Sequence, residues 1–187
     1  NILVEGVMDA SRRETKHMPN SIVEFGNATL NVTEGEIYNI TVRNVMSRAR
    51  TVVQFNGRLK NTSFYNLKTF DDGTRVVSGG KNTQLENVLF DGVFYCCDQD
   101  DITYQRARSK SQYKGVAIEL LGVTGKNVWM KNVFISRVKD VICVSGAENA
   151  DFTLNIENFY ADDYGVFSQI GENCTVYIDG EAQQSRI

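Results

Sequence analysis

The sequence predicts an all-β chain wound as a stack of parallel coils, with three short strands in each coil. Three observations lead there. A seven-residue phrase recurs about every 22 residues, apolar and polar residues alternate inside each copy, and an asparagine recurs at one place in it. The phrase reads N-I-T-V-R-N-V at 39–45, N-T-S-F-Y-N-L at 61–67, N-T-Q-L-E-N-V at 82–88 and N-V-W-M-K-N-V at 127–133, with looser copies T-L-N-I-E-N-F at 153–159 and N-C-T-V-Y-I-D at 173–179. The offsets are 22, 21, 45, 26 and 20 residues, so the 45 is two periods or one period carrying an insertion.

Inside each phrase the period is two. Ile40 and Val42, Thr62 and Phe64, Thr83 and Leu85, Val128 and Met130, Leu154 and Ile156 point one way, while Thr41 and Arg43, Ser63 and Tyr65, Gln84 and Glu86 point the other. That is the alternation of a half-buried strand. A second apolar run follows the asparagine, through Val45, Leu67, Val88, Val133 and Phe159. A third precedes the phrase, at 52–55, 75–78, 116–120, 141–145 and 166–170. Three runs per period exclude a hairpin meander, which has two. A coil rising by one strand spacing, about 4.8 Å, buries its inner face against its neighbours. The second asparagine of each phrase (Asn44, Asn66, Asn87, Asn132, Asn158) then stacks at one corner. Its amide donates and accepts along the stack, and its backbone tolerates a left-handed turn.

Residues 1–20 lie outside the period and read as an N-terminal cap or linker, with residues 21–187 as the coils and an insertion at 93–115. A start at Asn1 without methionine and an end at Ile187 are expected of a piece of something longer.

Strand–Asn–strand coils of this length resemble the right-handed parallel β-helices of the pectate-lyase-like group, which includes polysaccharide lyases, polygalacturonase-like hydrolases and bacteriophage tailspike or tail-fibre proteins. The resemblance covers residues 21–187 and implies a single-stranded right-handed parallel β-helix. Through the tailspikes it implies a parallel homotrimer on a virion tail that recognises cell-surface polysaccharide. The polygalacturonase-like elements N-T-D, G-H-G and R-I-K do not occur, and only Asp71-Asp72 matches a fragment of that pattern.

Composition narrows the function. With 187 residues, 20 Lys+Arg, 23 Asp+Glu and 42% apolar residues, the chain is one globular domain, not a disordered segment. A net charge of −3 argues against a general nucleic-acid binder, and no 18-residue apolar run predicts a membrane span. His17 is the single histidine, which excludes multi-histidine metal sites. Cys96, Cys97, Cys143 and Cys174 fit no zinc spacing or disulfide scaffold and read as reduced thiols. Asn-x-Ser/Thr triplets begin at Asn27, Asn31, Asn39, Asn61 and Asn173, and the repeat accounts for most of them; the alternative, glycosylation, would place the chain outside the cell.

The outer face of the phrase strand carries Arg43, Tyr65, Glu86, Lys131, Glu157 and Tyr177, with Glu86–Lys131–Glu157 alternating in sign. Trp129 lies on this face between Gln84 and Asn155, either as a sugar-stacking platform or as an indole covered by a neighbour. On the next strand Met46, Lys68, Leu89, Phe134 and Tyr160 form an apolar outer stripe, to be covered by another subunit or by the insertion.

The following corner is acidic. It gathers Asp71, Asp72, Asp91, Asp162 and Asp163, with Asp98, Asp100 and Asp101 from the insertion and Arg106, Arg108, Arg137 and Lys139 among them. Equivalent atoms on adjacent coils stand about 5 Å apart, and those two coils apart roughly 10 Å. The first spacing suits a retaining glycosidase pair or a calcium site, the second an inverting pair. Asp71, Asp72, Asp91 and Asp101 are therefore the catalytic candidates, with calcium the only cofactor entertained. Trp129, Tyr104, Arg106, Arg108, Arg137, Asp162 and Asp163 are the candidate glycan ligands. Three functions remain open: recognition of cell-surface polysaccharide, its cleavage by a lyase or glycoside hydrolase, and a purely structural coil.

Overall fold

The computed structural model describes residues 1–9, 21–25, 36–47, 51–70, 75–96 and 115–184. Every regular element among them is a strand, and all belong to one 13-stranded sheet. The strands are β1 (Ile2–Glu5), β2 (Met8–Asp9), β3 (Ser21–Phe25), β4 (Glu36–Tyr38), β5 (Ile40–Ser47), β6 (Thr51–Phe55), β7 (Arg58–Thr69), β8 (Val77–Gly79), β9 (Gln84–Cys96), β10 (Val116–Gly146), β11 (Phe152–Ile170), β12 (Cys174–Ile178) and β13 (Glu181–Gln183).

The main path runs β1-β5-β7-β9-β10-β11-β12-β13, and a second set links β3, β6, β8 and β10. Each pairing along these paths is parallel, except that β13 turns back antiparallel on β12. The architecture is thus all-β and mostly parallel, compatible with the expected coil. Residues 2–5 and 8–9, expected as cap or linker, are paired strands of the same sheet.

Long elements such as β10 change direction without breaking because single residues adopt left-handed backbone. Asn39, Asn44, Asn61, Asn66, Asn87, Asn127, Asn132 and Asn158 all have φ between 52° and 58°. Asparagine is the non-glycine residue that enters this region most readily.

The asparagines form two amide columns, where the sequence predicts one corner. In the first, Asn87 donates to Asn61 and Asn127 to Asn87, at 3.0 and 2.9 Å. In the second, Asn66 donates to Asn44 at 3.0 Å and Asn158 to Asn132 at 2.6 Å. Asn87, expected beside Asn66, therefore belongs to the other column. The phrase at 82–88 sits one corner earlier than expected, and Asn82 donates to Asn56 at 3.3 Å instead. Core packing explains the register: it sets Phe64 opposite Phe90, with rings stacked 4.8 Å apart and Phe55 against both.

Two outer-face expectations shift with it. The apolar stripe holds Phe94, not Leu89: Met8, Met46, Lys68, Phe94, Phe134 and Tyr160 are successive partners. Glu86 leaves the charge ladder, and Asp91 takes its place between Tyr65 and Lys131.

Inward side chains stack in matching columns, such as Val42, Phe64, Phe90, Met130, Ile156 and Ile178. The first five are essentially inaccessible. Each such side chain contributes about 1.5–3 kcal/mol relative to an exposed one, so the inner face carries the stability and the outer face is left for chemistry.

Candidate functional site

Of the eleven candidate residues, Asp71, Asp72, Asp101, Tyr104, Arg106 and Arg108 lie outside the described residues. The other five fall into two groups.

Trp129 and Asp91 share the outer face of the phrase strands. Trp129 is half-buried opposite Leu89 on one side, not Gln84, and Asn155 on the other. Its indole N–H donates to Asn127 Oδ1 at 2.8 Å, and Lys131 Nζ stands 5.5 Å from the ring centroid. Lys131 also pairs with Glu157 at 2.8 Å. Asp91 Oδ1 accepts from Asn132 Nδ2 at 2.6 Å, so this carboxylate is a member of the second amide column.

Arg137, Asp162 and Asp163 lie further along β10 and β11, past the Asn132 and Asn158 corners. Arg137 and Asp163 are opposite each other, both in left-handed backbone with φ of 56° and 47°. Asp162 stands opposite Ser136 and accepts the Tyr160 hydroxyl at 3.1 Å. That hydrogen bond, with the carboxylate's charge, raises the phenol pKa above its ordinary value. Tyr160 ends a run of rings: Phe70, Phe94, Phe134 and Tyr160 follow one another at centroid distances of 5.4, 5.1 and 5.3 Å. The last two contacts are parallel stacks, so Phe134 has both faces covered, while Tyr160 is 52% exposed.

A third feature was not anticipated. Arg58, Gln84 and Thr124 stand in register on β7, β9 and β10, as do Lys60, Glu86 and Lys126. With Ala150 and Asp151 they line an open groove of about 300 Å³. Glu86 Oε1 lies 3.4 Å from Lys60 Nζ and 3.2 Å from Lys126 Nζ. The hydrogen bond from Lys126, helped by Lys60 and opposed by partial burial, holds the Glu86 carboxyl below its usual range. The sequence carried a signal for this triad, because each member directly precedes an asparagine of the first column (Asn61, Asn87, Asn127). The misplaced 82–88 phrase hid it.

Among the described residues no group of three or more His, Cys, Asp or Glu is arranged to hold a metal ion. Burial pushes the Cys174 thiol up to about 12 and also raises that of Cys143. No family model matches the chain, and neither does any curated protein or solved structure.

Proposed function

We propose that the chain is a single-stranded right-handed parallel β-helix, three strands to a coil, of the bacteriophage tailspike or tail-fibre kind, and that it recognises host cell-surface polysaccharide as part of a homotrimer. The fold reading is supported by parallel pairing along both the main path and the β3-β6-β8-β10 set, and by amide bonds that recur at separations of 22, 26, 40 and 26 residues. The recognition reading rests on the outer face around Trp129. There the indole of Trp129 lies beside the Asn127 amide and Lys131 on β10, with Asn155 and Glu157 opposite on β11, so ring, amides and a charge pair share one outer patch. Amphipathic rings and side-chain amides suit the apolar faces and hydroxyl edges of sugars.

The subunit reading draws on the stripe ending at Tyr160, where Met8 is 64% exposed at one end and Tyr160 52% at the other. An apolar stripe of this length is better covered than wet. Glycan-array binding by the wild type and its loss in Trp129→Ala test the recognition. An array without signal above background overturns it. Light scattering tests the assembly, with a trimer expected and a monomer at high concentration overturning it.

A further inference from the structure

We infer that the groove between Arg58, Lys60 and Lys126 is an anion-binding subsite for the carboxylate or sulfate groups of an acidic polysaccharide, with Glu86 setting its charge. This rests on the polysaccharide reading above and names the class of sugar. Among the described side chains lining the groove, three cations face two carboxylates, in a chain whose net charge is −3. The two lysines share a single carboxylate oxygen, so one negative charge serves two ammonium groups. Arg58 is exposed on the same wall, in register with Glu36 on β4 and Gln84 on β9. Its planar fork fits a carboxylate or sulfate through two parallel hydrogen bonds.

The backbone is shaped for the same purpose. Any side chain at Gly125 would meet the carbonyl oxygen of Leu85, so glycine lets β10 close onto β9 at the groove floor. Just beyond it, β10 slips in register against β11 between Gly125 and Val128. A bulge of this kind re-aims the side chains it carries, and the Lys126 side chain is 74% exposed. Gln84, Thr124 and Asp151 remain beside the cations as partners for sugar hydroxyls.

Fluorescence anisotropy with labelled polygalacturonate, dextran sulfate and uncharged dextran tests the assignment. Exposed ion pairs are individually weak, so removing one lysine should weaken binding about threefold, and Lys60→Gln with Lys126→Gln about tenfold. Glu86→Gln should tighten binding about threefold by freeing both ammonium groups. Added salt should weaken the acidic polymers and leave dextran unaffected. Preference for polygalacturonate assigns a carboxylate, and preference for dextran sulfate a sulfate. Thermal melts of the glutamine variants confirm that their fold is intact. Dextran bound as tightly as the acidic polymers, or acidic binding indifferent to both lysine substitutions, overturns the subsite while leaving polysaccharide recognition standing. Failure of all three polymers to bind also overturns it, and the Trp129 array then decides the broader reading separately.

Discussion

Asn132 donates its side-chain amide to Asp91 across 41 residues of chain, and this bond repairs a gap in the second amide column. The residue opposite Asn132, where an asparagine would continue the column, is Gly92. It keeps the left-handed backbone, with φ of 81°, but has no side chain to offer. A Cβ there would lie 2.9 Å from Asn66 Oδ1, so the position is closed to larger residues while Asn66 keeps its place. Asp91, one residue earlier, supplies the missing acceptor from the outer face.

Replacing Asp91 with alanine should leave the Asn132 amide without its acceptor and destabilise the fold by about 0.5–1.5 kcal/mol. Asp91→Asn, which keeps an acceptor oxygen, should recover most of the loss. Urea denaturation of the two variants reads the difference. Equal stability of both would mean that water satisfies Asn132 equally well.

Phe90 is fully buried between Phe64 and Phe55. Phe90→Ala should cost about 3–5 kcal/mol, the usual range for a large aromatic removed from a close-packed core. Phe134→Ala, on the outer stripe, should cost much less, because Phe134 is only half-buried. Comparable losses at the two positions would contradict the inward and outward assignment of these strands.

The Tyr160 phenol, held neutral by its bond to Asp162, should ionise above its ordinary value of 10.0. Its raised pKa adds stability that is fully present below the unfolded value and is lost as pH rises through the folded one. Ultraviolet titration of the wild type against Tyr160→Phe isolates this phenol. Asp162→Asn should return it toward the ordinary value, and an unchanged titration in that variant would refute the contact.

Cys174, with its thiol pushed up to about 12, should resist alkylation near pH 8.5, where a free thiol is about half ionised. Denaturant should restore rapid labelling. The same shift means that the folded state keeps a proton the unfolded state releases, so stability should fall as pH rises from about 9 toward the folded value. Site-mapped mass spectrometry after timed alkylation checks it, and native labelling at the denatured rate would contradict the burial.

Strand character, inward alternation and most of the left-handed corners were legible in the sequence, because each has a local physical signature. Ile40 and Val42, or Val128 and Met130, alternate with polar or outward neighbours at the spacing of two that a half-buried strand imposes. Asn44, Asn66, Asn132 and Asn158 mark turns that few other residues tolerate. Register was less accessible. The phrase at 82–88 is spelled like its neighbours, and the residue that takes the second-column place in its period, Gly92, has no side chain to announce it. What fixes the alignment is long-range packing, Phe64 on Phe90, which no short window contains. The substitution of Phe94 for Leu89 and the meeting of Glu86 with Lys60 and Lys126 follow from that one shift. The candidate site was harder still, since its residues are joined only through pairing between distant strands. Asp162 beside Tyr160 is local, whereas Arg137 opposite Asp163 and the groove are products of the fold.

The separation between Asn87 and Asn127 is 40 residues, against 22 between Asn44 and Asn66, yet Val93 to Cys96 still pair residue for residue with Val133 to Ser136. The residues between Cys96 and Gly115 lengthen this period, yet the described ladders before and after them keep their register. Length variation is thereby uncoupled from stability, so the scaffold can diversify or receive a foreign peptide between Cys96 and Gly115 while its interior stays as it is.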